Sequence, residues 1–275
     1  MTHMVSPDPA PTPAALHHVT VHGPADAPRT LLLVHGFGTD QTVWHDLLPL
    51  LDPALRVITY DQAGCGRCEP SVFVQHRYLN LHGFANDLVA LAQCLDLRDA
   101  ILVGHSFGAM VGVLAALQAP ERFSRLALIG ASPRYLDDGD YHGGFREEDI
   151  EQVYRVAMAN YSGWTEAFAP VAVGQAAGPG LAEHFAHSLQ TIPPERALTL
   201  LCAILQSDHR PALPRLNQPV LLLQTQRDSF VPLAVAQYMA RTLPRAELRL
   251  LDAEGHLPHL TAPAQVAAEL RAFLT

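Results

Sequence analysis

The sequence predicts an α/β fold: a mostly parallel central sheet with helices on both faces and a helical insertion between two strands. Two patterns predict it. Short apolar-rich runs at 30–34, 56–60, 100–103, 125–129, 220–224 and 247–251 alternate with helical periodicity at 81–95, 107–118, 233–243 and 264–273. Buried strands alternating with amphipathic helices close into a parallel sheet covered on both sides. Between about 133 and 210 that rhythm stops, and a gap of about 75 residues is too long for a plain loop, so it should hold helices of its own.

Residues 1–15 are expected to form a disordered lead-in, because Pro7, Pro9, Pro11 and Pro13 disfavour both helix and central strand. The core should then comprise 16–132 and 211–275, with 133–210 as a lid. At 275 residues, 49% of them apolar and 16% charged, the chain can bury a sizeable core, and wholesale disorder is excluded. The net charge of −9 and the absence of basic runs argue against nucleic acid. All 18 cationic residues are arginine, so Schiff-base chemistry and a lysine-containing phosphate loop are both excluded. No apolar run approaches the roughly 18 residues of a membrane span, and no signal-peptide pattern opens the chain. A cytoplasmic protein without membrane attachment is therefore expected.

The 4 cysteines are too few for a disulfide scaffold. Cys65 and Cys68 have the spacing of a redox pair, but they lie in a Gly-rich stretch with no second pair, and we read them as reduced turn residues. The 15 histidines include His184 and His187 three apart, but no His-Glu-x-x-His and no carboxylate cluster accompanies them. Neither metal nor any other cofactor is expected.

The chemistry begins with Gly104-His105-Ser106-Phe107-Gly108, directly after the run 100–103 and directly before the helical stretch 107–118. Strand, Gly-x-Ser-x-Gly, helix is the context of a nucleophile elbow: glycines allow a tight turn, and Ser106 is forced into an exposed, strained position at a helix N-terminus. A second piece, His35-Gly36-Phe37-Gly38, follows the run 30–34. There Phe37 is the candidate for one backbone N–H of an oxyanion hole and Phe107 for the other, while His35 reads as a buried brace of the loop. The chain order serine, acid, histidine makes His256 the candidate base, with His259 competing three residues on; Gly255 gives the backbone freedom to aim His256. Asp228, after the run 220–224, fits the acid, with Asp208 as its rival.

These residues, together with others along the chain, carry a resemblance to the α/β-hydrolases, and within them to the RsbQ-like group of bacterial stress regulators related to plant strigolactone and karrikin receptors. It rests on His35-Gly36-Phe37-Gly38 with Asp40-Gln41 and Val43-Trp44, on Tyr60-Asp61 with Gly64 and Gly66, and on Gly104-His105-Ser106. Asp140-Tyr141, Gly143-Gly144-Phe145, Asn160-Tyr161, Trp164 and Phe168-Ala169-Pro170 extend it through the insertion. Ser207-Asp208-His209-Arg210, Tyr238-Met239 and the segment from Gly255 to Pro263 complete it.

The resemblance implies a V-shaped lid of four helices over an apolar pocket lined by Trp164 and Phe168, and an intact Ser106, Asp228, His256 triad. Phe107 stands where many relatives have an aliphatic residue and is expected to narrow the pocket mouth. The expected function is hydrolysis of a carboxylic ester or lactone of a small, largely apolar molecule through an acyl-enzyme. The alternative is a slow sensor that recruits a protein partner through its lid. A cofactor-free oxidoreductase or perhydrolase on the same triad is a third reading.

Overall fold

Residues 10–275 are described in a computed structural model. Residues 1–9 of the expected lead-in lie outside the described residues. Order begins earlier than the prolines suggested, because Thr12 accepts a hydrogen bond from the Ala15 N–H and caps helix α1, Pro13–Leu16, with Pro13 at the first helical position where its missing N–H costs nothing.

The sheet has seven strands: β1 (Thr20–His22), β2 (Thr30–Val34), β3 (Arg56–Thr59), β4 (Ala100–His105), β5 (Phe123–Ile129), β6 (Val220–Arg227) and β7 (Ala246–Glu254). Their spatial order is β1-β3-β2-β4-β5-β6-β7. All neighbours are parallel except β1, which pairs antiparallel with β3 at one edge. Side chains alternate between the faces. Leu32, Val34, Leu102, Leu126 and Leu222 point into one core, Leu31, Leu33, Val103, Ile129 and Leu223 into the other.

The first core is roofed by α2 (Leu81–Cys94), α3 (Phe107–Gln118) and, further along the chain, a helix at Leu233–Thr242, through Phe84, Leu88, Val111, Val235 and Met239. The insertion holds α4 (Glu147–Ala159), α5 (Tyr161–Val173), α6 (Pro179–Gln190) and α7 (Pro194–Leu205). It is followed by α8, the Leu233–Thr242 helix, then the short α9 (Pro258–Thr261) and α10 (Pro263–Leu274). α10 covers the second core with Val266, Leu270 and Leu274. Among the described residues no helix is long and apolar enough to cross a membrane.

This order fixes where chemistry can gather. β4 is flanked by β2 and β5, so the loops leaving the carboxyl ends of β2, β4, β6 and β7 converge at one rim, the rim at which open α/β sheets place their sites.

Candidate active site

Ser106 turns the chain from β4 into α3 with φ +54°, a left-handed conformation that costs a non-glycine residue about 1–3 kcal/mol. The neighbouring glycines are sterically required. A Cβ on Gly104 would lie 2.5 Å from the Ala109 Cα, and one on Gly108 would lie 2.3 Å from the His35 carbonyl oxygen. That close approach seats the loop after β2 against the start of α3 and brings Phe37 to the rim of the Ser106 site. The Ser106 N–H donates to the Ile129 carbonyl at 2.8 Å, tying the strained turn to β5.

His256 follows β7 at Gly255, whose φ of +85° and whose approach to the Val173 carbonyl (2.3 Å from where a Cβ would stand) exclude a side chain. The ring is held between two partners: Nε2 lies 2.8 Å from the Ser106 Oγ and Nδ1 lies 2.8 Å from Asp228 Oδ2. A carboxylate only accepts, so Nδ1 carries the proton and Nε2 presents its lone pair to the serine hydroxyl. Asp228 lies beyond the end of β6, and its carboxylate is almost fully enclosed. Its Oδ1 accepts the N–H groups of Phe230 (2.8 Å) and Val231 (3.0 Å), and Oδ2 also accepts from Gln224 Nε2 at 3.2 Å.

The two rivals are elsewhere. Asp208 is engaged by Arg134 (3.1 Å) and Arg210 (2.6 Å) at the junction of the insertion with the core. Partial burial opposes its ionisation, but the hydrogen bonds from Arg210 outweigh that and hold its carboxyl below the usual range. His259 is fully buried behind the site, 4.7 Å between ring centroids from Trp44 and 4.4 Å from His105. Burial, reinforced by His256 and His35, lowers its pKa to about 3, so it stays neutral.

His35 is a brace, as expected: its Nε2 accepts the Gln62 N–H at 3.0 Å and its Nδ1 donates to the Gly36 carbonyl at 2.9 Å. Cys65 and Cys68 are buried free thiols. Burial raises both, Cys68 to about 12, which leaves them protonated and poor redox nucleophiles.

Above Ser106 lies an apolar cavity of about 110 Å³. Phe37, Ser106 and His256 line it from the core; Trp164, Phe168, Phe185 and Leu201 line it from the insertion. Trp164 stacks on Phe168 at 4.8 Å between centroids, and Phe168 on Phe230 at 4.7 Å, so the aromatic wall is continuous from α5 to the loop that carries Asp228.

Phe107 corrects an expectation. Its ring turns away from the cavity and packs edge-on against Phe84 at 5.5 Å, inside the first core. The pocket mouth is not narrowed by it, because the residue after the serine already belongs to a helix face directed at α2. Its backbone N–H stands at the first position of α3, where helix geometry offers it no carbonyl one turn back.

Tyr135 escaped the sequence analysis. Just beyond β5, its hydroxyl reaches to 3.4 Å from the Ser106 Oγ, and burial raises its pKa well above the ordinary tyrosine value, so it is a neutral hydroxyl at the cavity floor. The aromatic-rich stretch after Pro133 was the available signal, but no spacing singles out this ring.

The alpha/beta hydrolase fold family matches residues 29–263. The chain is 42% identical to a strigolactone esterase of Arabidopsis thaliana, over 94% of this chain and 96% of that one. It is 38% identical to a karrikin insensitive 2 receptor of Petunia hybrida, over 90% and 91%. Among solved structures, a hydrolase from Oleispira antarctica superposes with a TM-score of 0.92 at 32% identity, covering 95% of this chain and 96% of that one.

Proposed function

The chain belongs to the alpha/beta hydrolase family, and from that premise we propose that it is a serine hydrolase cleaving the carboxylic ester or lactone bond of a small, largely apolar molecule. The observation that carries this reading is the unbroken hydrogen-bond chain from Ser106 through His256 to Asp228, opening at the floor of an apolar cavity.

The chemistry follows from the proton positions. Ser106 Oγ attacks the carbonyl carbon while Nε2 of His256 takes its proton, and Asp228 stabilises the imidazolium without itself becoming protonated. The N–H groups of Phe107 and Phe37 receive the developing oxyanion, with the N-terminus of α3 adding its dipole. Collapse expels the alcohol, which His256 protonates; for a lactone the alcohol remains tethered to the acyl group. Water, deprotonated by His256, then attacks the acyl-serine, and Ser106 is regenerated. Trp164 and Phe168 bind the apolar part of the substrate by area burial.

A second reading is a receptor that turns over slowly and passes the signal to a protein docked on the insertion; what favours it is the 38% identity to a karrikin receptor. One experiment addresses both. p-Nitrophenyl esters of short and medium acyl chains are followed in a rapid-mixing instrument with wild type and Ser106→Ala. Many turnovers in the wild type, absent from Ser106→Ala, support the hydrolase. A stoichiometric burst followed by near silence supports the receptor, and an equal rate in Ser106→Ala overturns both.

A further inference from the structure

A second histidine touches His256 and takes no part in the acyl transfer. His105, the residue between Gly104 and Ser106, is 2% exposed, and its Nε2 lies 2.7 Å from the backbone carbonyl oxygen of His256. A carbonyl only accepts, so Nε2 of His105 carries the proton and donates it. The opposite nitrogen, Nδ1, is buried without a partner and faces Gly36, where a Cβ would stand only 2.3 Å away. The ring is boxed in on its other sides by His256 at 5.0 Å and His259 at 4.4 Å between centroids.

The main chain of His256 is therefore gripped twice. Its N–H donates to the Ala172 carbonyl of α5 at 2.6 Å, and its carbonyl receives the proton of His105. The first bond ties it to the insertion, the second to the end of the very strand that carries the nucleophile. β4 thus presents Ser106 to the ring of His256 through one residue and fixes the backbone of His256 through the residue before it.

We infer that His105 is a positioning residue: by donating from Nε2 to the His256 carbonyl it sets the distance and angle of the His256 ring to Ser106. Two features fit that task. The ring sits in a slot that only glycine at 36 leaves open, so it cannot swing away. Its protonation is also suppressed, chiefly by burial and then by the neighbouring His259 and His256, so the tautomer that donates does not titrate into a cation beside the base. The inference rests on the proposed role of His256 as base.

The test is a matched pair, His105→Gln and His105→Met. The two side chains are unbranched and of similar size, but only Gln can donate to the His256 carbonyl. Hydrolysis of a p-nitrophenyl ester is measured beside wild type and Ser106→Ala, with thermal unfolding and the low-field proton resonance of the His256–Asp228 hydrogen bond as further readouts. The expected result is a fall in kcat of roughly ten- to a hundred-fold in His105→Met with little change in KM, and loss or displacement of the low-field resonance. His105→Gln should recover most of both. A folded His105→Met with wild-type kcat and an unchanged resonance overturns the inference, and so does a Gln variant as impaired as Met. If Ser106→Ala instead hydrolyses at the wild-type rate, it is the reading of the site that fails.

If the Met variant does not fold, the wild-type protein supplies the answer by nitrogen NMR of labelled histidine. His105 should be the Nε2–H tautomer with a slowly exchanging ring proton, and an Nδ1–H tautomer contradicts the inference.

Discussion

The core and the insertion contribute to the cavity in opposite chemical currencies. The core side supplies Ser106, His256 and Asp228, linked by directional hydrogen bonds to one another and, through Asp228, to backbone N–H groups, and it strains the backbone at Ser106 to present the nucleophile. The insertion supplies Trp164, Phe168, Phe185 and Leu201, which are positioned by stacking and packing. Polar bonds between the two regions include a pair near the end of α5, in the middle of the insertion, where the Ala172 carbonyl accepts from the His256 N–H and the Glu254 carboxylate accepts from the Ala176 N–H, and one where Gln75 Nε2 donates to the Thr199 hydroxyl. Where the two ends of the insertion meet, Arg134 and Arg210 converge on Asp208 and hold them together. The difference separates reactivity from selectivity: substitutions on the core side should alter kcat, those on the insertion side KM and chain-length preference.

The largest effect that could break this division is at the acid. Asp228→Asn should lower kcat by about a thousand-fold or more, because the Nδ1–H of His256 loses its charged acceptor and the tautomer is no longer enforced. Asp208→Asn should leave kcat within a few-fold of wild type; steady-state kinetics on both variants would expose a misassigned acid if the ranking reversed. Next, Phe168→Ala removes the ring shared by Trp164 and Phe230, and KM for medium-chain esters should rise about ten-fold while kcat for an acetyl ester changes little. A collapse of kcat for the acetyl ester would mean the insertion also positions the chemistry.

Asp208→Asn should still lower the melting temperature at neutral pH. Its native carboxyl titrates below the unfolded value, so its stabilisation is present above about pH 4 and fades as pH falls through the native value. The melting-temperature gap between variant and wild type should therefore close in acid. The last effect is confined to the pH dependence and concerns His259. Its pKa of about 3 in the native state lies below the unfolded value near 6.5, so unfolding takes up a proton between those limits and stability falls as pH drops through that window. In His259→Phe the slope of stability against pH between about 6 and 4.5 should be shallower by about 1 kcal/mol per pH unit, measured by urea unfolding.

How much of this was legible in the sequence depends on the range of the forces involved. The elbow at Gly104 to Gly108 is local, since both glycines are demanded by backbone within reach of the turn, and so it announces itself in five residues. The central parallel strands are legible because burial on both faces makes them continuously apolar, and β6 outruns its apolar run where it ends in Gln226 and Arg227; β7, at the edge with only Leu251 buried, carries a weaker pattern and runs on to Asp252 and Glu254. β1 was missed: three residues, half exposed and at an edge, carry no pattern distinct from a loop. α1 was hidden by prolines, one of which opens the helix. The direction of Phe107, the reach of Tyr135 and the contact of His105 with the His256 carbonyl are tertiary facts. Each joins segments distant in sequence or depends on which face of a helix meets its neighbour, and no spacing encodes that.

The proposed chemistry requires Ser106 to become acylated through the action of His256. The decisive experiment mixes the protein with a p-nitrophenyl ester, quenches in acid within the burst and measures intact and peptide masses. One added acyl group is expected on the peptide containing Ser106, lost on longer incubation as water completes the cycle and absent from Ser106→Ala. Release of p-nitrophenol with no adduct on Ser106, or with the acyl group on another residue, would contradict it.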